Sequence, residues 1–444
     1  MSKLFGTDGI RGVAGAWPLD PPTIARLGAA IVRGQTHGHA VRVIIGRDTR
    51  ESGEWIEREL ARGAASQGAV VSSAGVIPTP GVAYLARSLD FDLGVVISAS
   101  HNPYQDNGIK VFSGKGEKFG EPEERVVETM MTDASWNFHP DSDAPLRRGD
   151  FGDQYIAHVL ALWPSAGALS GARMAVDMAN GATVATAVTV LERLGFDLVT
   201  LGDKPDGHNI NLACGSTHPA GLSSSVVAHA CKMGVAFDGD GDRAILVDHR
   251  GRVVDGDAVL LMLALHYKAQ GTLTGDTVVA TVMSNLGLEI ALRDRGIRLL
   301  RTPVGDKYVM EAMLRDGYVL GGEQSGHVIL SEHLFTGDGL ATALAVLRVM
   351  AGTGRELADL ASALVSLPQT LVNVRVRNKK AVADVPSIAA AMARVESALG
   401  SRGRLLVRYS GTEPLLRIMI EGEDQATIQA WAEEIAEAVR VTIG

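Results

Sequence analysis

Cysteine is nearly absent. Cys214 and Cys231 are the only two in 444 residues, and neither has a second cysteine three positions away. That excludes a disulfide framework and a paired-cysteine metal site, and two buried free thiols in a reducing compartment are expected. Basic charge is also short: 42 Lys+Arg against 51 Asp+Glu give a formal net charge of −9 and a pI near 5.8. A nucleic-acid binder would normally show a concentrated basic stripe, so no nucleic-acid partner is expected. Long apolar runs are missing. The run at 258–265 falls far below the roughly 18 residues a membrane span needs, so no membrane partner is expected either. Met1-Ser2-Lys3-Leu4 runs straight into a glycine-rich motif without a leader-like pattern, and a soluble cytoplasmic protein is the expectation. Two motifs are absent as well. Without G-x-x-x-x-G-K-[ST] a nucleoside triphosphate is not the obvious ligand, and without GxSxG the usual serine-hydrolase elbow has no support.

What is present in excess is glycine: 51 residues, above the typical usage of about 7%. There is no G-X-Y period and no Gly/Ser tract, so the excess belongs to tight turns between regular elements. At roughly 150 residues per domain the length suggests about three domains, and a 46% hydrophobic content supplies their cores.

Short apolar runs alternate with amphipathic stretches. Residues 41–45, 69–72 and 93–97 read as strands, with a helix-like stretch at 55–66. The plan repeats at 174–177, 196–201 and 235–237, and again at 277–282, 297–300 and 318–320. Residues 185–194 and 287–295 between them are helical in period. This is an α/β pattern used three times, and it implies parallel sheets covered on both faces. After Leu367-Pro368 the pattern changes to strand 372–377, helix 385–399, strands 404–408 and 415–420, and helix 426–439. That is a smaller α+β domain, and with ten basic against nine acidic residues it is the relatively basic one. The expected boundaries are 1–152, 153–253, 254–367 and 368–444.

In each copy the third strand runs into the most polar, glycine-bearing loop of that copy: 98–103, 238–243 and 321–327. Ligands bind beyond the carboxyl ends of strands in such sheets, so three facing modules would bring the three loops to one cleft. Asp238, Asp240 and Asp242 alternate with glycines, and a hard divalent cation best relieves their repulsion. An EF-hand is excluded because Arg243 and His249 occupy its glycine and bidentate-glutamate positions. An exposed acidic turn is the competing explanation. Ser100, in Ser98-Ala99-Ser100-His101-Asn102-Pro103, either caps a turn or serves as a nucleophile that carries a phosphoryl group. In the second case its phosphate could complete a magnesium shell, and His101 and Lys110 could move a proton or neutralise charge. Glu323, Gln324, Ser325 and His327 offer donors and acceptors for sugar hydroxyls. Arg408, Ser410, Thr412 and Arg417 around Gly411 suit a phosphate dianion, against a plain β-turn with surface arginines. Arg11, in the opening Phe5-Gly6-Thr7-Asp8-Gly9-Ile10-Arg11-Gly12, is a further candidate phosphate contact.

These five loops, in this order and across essentially the whole chain, resemble those of the α-D-phosphohexomutase superfamily. The opening FGTDGIRG, the SASHNP form of the serine loop and GEQSGH in the third loop resemble the bacterial branch acting on glucosamine phosphates, whereas relatives acting on mannose and glucose phosphates usually differ at Gln324. The resemblance implies three mixed α/β/α modules plus a smaller C-terminal α+β domain around a central cleft. It implies that Ser100 is phosphorylated and that Asp238, Asp240 and Asp242 hold one Mg2+ with that phosphate. His101, Lys110 and Arg243 would assist catalysis. Glu323 and Ser325 would read the sugar, with His327 and Arg243 nearby, and Arg408, Ser410, Gly411, Thr412 and Arg417 would hold the non-reacting phosphate. The implied reaction interconverts glucosamine 6-phosphate and glucosamine 1-phosphate through glucosamine or glucose 1,6-bisphosphate, supplying UDP-N-acetylglucosamine for peptidoglycan. The implied assembly is a homodimer formed through the first domain. The runner-up activity uses mannose or glucose phosphates, and a non-catalytic phosphosugar-binding protein is the alternative of a different class. Gln105 departs from the family, where an aromatic residue often follows Tyr104, and is read as a change behind the site.

Overall fold

The computed structural model describes residues 4–6, 8–35, 39–136, 146–163, 166–400, 402–410 and 414–444. By packing, the chain divides into two compact units: Met1–Met283 with Gly296–Ala363, and Ser284–Arg295 with Leu364–Gly444.

The first unit contains three sheets. In the first, Arg42–Arg47 lies between Val70–Val76 and Leu93–Ile97, parallel to both. In the second, Arg173–Asp177 lies between Asp197–Leu201 and Met233–Phe237, again parallel. In the third, Thr277–Thr281 lies between Arg298–Thr302 and Leu320–Gly322. These nine strands match the apolar runs, although the last begins two residues beyond its expected start. The sheets are not purely parallel, however. Each third strand turns back into an antiparallel partner: Asp106–Ser113, Ala244–Asp248 and Val328–Leu330. The polar loops are therefore hairpin connections. A hairpin loop has both ends pinned by a ladder of backbone hydrogen bonds, which fixes its side chains more tightly than a strand-to-helix connection would. Ile10–Val13 adds to the first sheet beside Asp106–Ser113, with Arg11 opposite Gly108.

Helices cover these sheets. Pro21–Arg33 and Gly53–Ser66 pack together with almost nothing between their backbones: a Cβ on Gly63 would lie 1.8 Å from Ala25 O, and one on Gly28 would lie 2.2 Å from Leu60 O. Ile24, Leu27, Ile31, Ile56 and Leu60 fill the layer between this pair and the sheet, where Val43, Ile45, Val95 and Ile97 meet them.

The second unit has an antiparallel sheet in the order Gln369–Arg375, Leu415–Glu421, Arg404–Tyr409. Pro386–Leu399 and Gln425–Ile443 bury Ile388, Val395, Ile428 and Ile435 against Leu416, Ile418 and Ile420. The helix Leu286–Arg293 also belongs here. Its cap, Asn285, accepts from Gly287 N at 2.8 Å and Leu367 N at 2.9 Å and donates to Leu367 O at 3.0 Å.

Cys231 is buried, but Cys214 is only half-buried, so the expectation of two buried thiols fails for one of them. Among the described residues no helix is long and apolar enough to cross a membrane. Gly63→Ala should push the two glycine-paired helices apart and cost about 1–3 kcal/mol, read as a lower urea midpoint.

Candidate active site

Ser100 sits just beyond the end of Leu93–Ile97 with φ +52, a left-handed backbone that serine rarely adopts. Several groups hold it there. Its N–H donates to Ser98 Oγ at 2.9 Å, and its carbonyl accepts from Arg50 Nη2 at 3.2 Å and Asn211 Nδ2 at 2.9 Å. Behind them the Asp48 carboxylate binds Arg50 and accepts from Ser98 Oγ at 2.5 Å. Asn211 comes from the second module, and a Cβ on Gly239 would lie 2.6 Å from Ser100 O. Glycine at 239 thus allows the serine loop to lie on the aspartate loop. Of the two glycines in that loop, only Gly241 has a positive φ.

The contact places Ser100 Oγ 2.5 Å from Asp238 Oδ2, with His101 Nδ1 at 3.2 Å on its other side. Asp240 Oδ2 accepts from Thr79 Oγ1 at 2.6 Å and from Lys110 Nζ at 2.8 Å. Lys110 also reaches Asp242 Oδ2 at 3.1 Å. All five of these charged or hydroxyl-bearing residues (Ser100, Lys110 and the three aspartates) are buried, so an exposed acidic turn is ruled out. One carboxylate oxygen from each aspartate lies within 4.8 Å of the others, the only such group of three among the described residues.

Three elements lock the third loop onto the second. Arg243 and His327 form a backbone bridge, Ala244 N donates to Gly326 O at 3.1 Å, and Gly339 N donates to Gly241 O at 3.0 Å. Glu323 Oε1 accepts from Gly305 N at 3.2 Å, with Ser325 Oγ 3.4 Å from Oε2. His327, expected near the sugar, contacts the aspartate loop. Its ring is buried, with Nδ1 3.6 Å from Asp242 Oδ1 and Nε2 accepting from Gly337 N at 3.0 Å. It braces Asp242 from inside the protein. Burial opposes protonation of this ring, while Asp242, Asp306 and Glu323 favour it and draw its pKa up to about 9. The Gly337 N–H nevertheless needs a lone pair at Nε2, and on that geometry the ring is neutral with its hydrogen on Nδ1.

Electrostatics sort the remaining groups. Burial, Asp242 and Asp240 push Asp238 well above the usual carboxylate range. Burial would raise Asp242 too, but Lys110, the Nδ1–H of His327 and Arg243 bring it well below that range. Burial and the charges of Arg243 and Arg11 lower His101 to about 4, so its imidazole is neutral near pH 7. Arg11 donates to Asn102 Oδ1 at 3.4 Å and pairs with Asp8. The sequence reading missed Asp8, Thr79, Arg50, Asn211, Lys118 and Asp306. Only Asp8 lay in a motif already singled out.

In the second unit Arg408 and Arg417 face each other across adjacent strands. Burial and the charge of Arg417 both weaken the hold of Arg408 on its proton. Like charges in register repel, and a dianion placed against them would relieve that repulsion. Ser410 is buried beside them, and its carbonyl accepts from Lys379 Nζ at 2.7 Å. Gly411 and Thr412 lie outside the described residues.

Comparison with known proteins gives this arrangement its family. Residues 2–138, 153–251, 255–367 and 371–438 match, in order, alpha/beta/alpha domains I, II and III and the C-terminal domain of phosphoglucomutase/phosphomannomutase. The chain belongs to the phosphoglucomutase/phosphomannomutase family. A protein of Solibacter usitatus named phosphoglucosamine mutase is 50% identical over 452 residues, covering 100% of both chains. One of the same name from Moorella thermoacetica is 50% identical over 444 residues, covering 97% of each. The solved structure of a phosphoglucomutase/phosphomannomutase family protein from Burkholderia thailandensis shares the fold, with a TM-score of 0.81 at 24% identity over 99% of this chain and 98% of that one. The mixed α/β sheets of the first unit are those of this family.

The aspartate loop fits a metal ion. Asp240 Oδ1 and Asp242 Oδ1 are buried without a hydrogen-bond partner, and Asp238 resists ionisation until a positive charge arrives. Hard carboxylate oxygens suit a hard divalent cation. With the pKa of Asp238 raised, the metal-free protein loses stability as pH climbs from about 4 toward that raised value, because the folded state holds a proton the unfolded state has released. Asp238→Asn should therefore raise the melting temperature of the metal-free protein by about 2 °C or more near pH 7 while abolishing stabilisation by divalent cations. Scanning calorimetry with and without chelator reads both effects.

Proposed function

We propose that this chain interconverts glucosamine 6-phosphate and glucosamine 1-phosphate, through a phosphoserine at Ser100 and a 1,6-bisphosphate intermediate. The observation that carries the reading is the meeting of Ser100 Oγ with Asp238 at 2.5 Å, in a loop where two further buried carboxylate oxygens await a ligand. Two full-length relatives at 50% identity bearing the name phosphoglucosamine mutase support the sugar.

Asp238, Asp240 and Asp242 would hold one Mg2+ together with an oxygen of the Ser100 phosphoryl group. That ion, when bound, would neutralise charge on the phosphoryl oxygens. Lys110 and Arg243 add positive charge on the protein side. In the forward direction O1 of glucosamine 6-phosphate attacks the phosphorus on Ser100. The P–Oγ bond breaks, the P–O1 bond forms, and the O1 proton passes to the departing Ser100 Oγ by way of a neutral acceptor, for which the His101 imidazole is suited. In the second half Ser100 Oγ attacks the phosphorus on O6 and releases its own proton. The P–O6 bond breaks, O6 takes up the proton that Ser100 releases, and glucosamine 1-phosphate leaves with Ser100 phosphorylated again. Glu323 and Ser325 would hold sugar hydroxyls, and Arg11 would meet a phosphate. Arg408, Ser410, Gly411, Thr412 and Arg417 would hold whichever phosphate is not reacting. The same reading makes the protein a cytoplasmic homodimer joined through its first domain.

Ser100→Ala is expected to abolish mutase turnover and the phosphate mass on the intact chain while keeping stabilisation by Mg2+. Robust turnover in that variant would sink the scheme. Steady-state assays on glucosamine, glucose and mannose phosphates, with a bisphosphate activator, should give the highest kcat/KM for glucosamine phosphate. A preference for mannose or glucose phosphates would move the chain to its sister activity, and binding without turnover would make it a phosphosugar-binding protein.

A further inference from the structure

Five charged side chains of alternating sign run in contact from the aspartate loop to the third module. Asp242 meets Lys110 at 3.1 Å, Lys110 meets Asp8 at 3.2 Å, Asp8 pairs with Lys118, and Lys118 meets both oxygens of Asp306 at 3.1 and 2.8 Å. His327 stands between the two ends, 3.6 Å from Asp242 and 3.8 Å from Asp306. The side chain of Lys118 is 6% exposed, and it touches none of the three aspartates proposed to hold the metal. Its position matters because Lys110 is shared, contacting Asp8 as well as Asp240 and Asp242.

We infer that Lys118 is a positioning residue of the phosphoryl-transfer site, occupying Asp8 so that Lys110 stays on Asp240 and Asp242. The inference rests on the function proposed above. Without Lys118, Asp8 keeps its charge in a low-dielectric setting and has only Lys110 and Arg11 left to neutralise it. Asp8 then draws Lys110 away from the aspartate loop. Turnover suffers because Lys110 is misplaced. The aspartates, having lost one competing cation nearby and another close behind it, bind a metal ion more tightly. Slower turnover together with tighter metal binding is a combination that mere loosening of the site does not produce.

The neighbouring residue makes the test practicable. Lys307 pairs with Glu124 at 2.9 Å, a second buried contact between the same two modules that survives when Lys118 is replaced. Lys118→Met should lower kcat about tenfold or more, the range typical of groups supporting a metal site from behind. Titration calorimetry with Mg2+ on the whole chain should show about threefold or more tighter binding. Adding Asp8→Asn should restore much of kcat, because the competing charge is gone while the amide oxygen can still face Lys110. A Lys118→Met enzyme with unchanged kcat, weakened Mg2+ binding, or a double variant with no recovery would each overturn the inference. Failure of both variants to fold would do the same, assigning the lysine to stability alone. A wild-type chain without mutase turnover would instead sink the proposed function, a separate outcome.

Discussion

Buried negative charge governs this molecule. Three aspartates within five residues end a strand in the interior, where like charges at such spacing repel strongly and little water screens them. Lys110 reduces the repulsion but leaves one oxygen each on Asp240 and Asp242 unsatisfied, and Asp238 responds by holding its proton. A divalent cation would offset the charge that Lys110 leaves uncompensated. Neighbouring elements face the same requirement: Lys110 needs a strand that carries it inward, and Ser100 needs a backbone bent enough to reach Asp238.

The three modules meet this requirement with one device. A parallel strand delivers a loop to the site, and an antiparallel strand leads the chain away. The return strand of the first module also supplies Lys110, directly opposite Val96 of the delivering strand. Bridges between the second and third loops then fix the aspartates relative to Glu323 and Ser325. Positioning on this scale is what phosphoryl transfer demands of a protein, since the bond changes need little more than alignment and compensation of charge.

The delivering strands and their loops could be read in the sequence because both carry strong signals. Apolar runs of three to six residues mark the strands, and the loops contain residues with no reason to cluster other than chemistry. The return strands escaped notice. Asp106-Asn107-Gly108 opens one of them with turn-forming residues, and Val328–Leu330 has only three residues, too few to establish a period. Lys118 and Asp306 were invisible for a different reason. Each looks like an ordinary surface charge, and they meet across a separation of 188 residues, which no local pattern encodes. For His327, residue type alone could not reveal its contact with Asp242.

The left-handed backbone at Ser100 carries a conformational cost. Any side chain bearing a Cβ is disfavoured at φ +52, and glycine alone would adopt it without strain. A glycine here would relax the loop and yield a sturdier fold with no hydroxyl to phosphorylate. Under the proposed reaction, backbone relaxation and chemistry therefore oppose each other at this position.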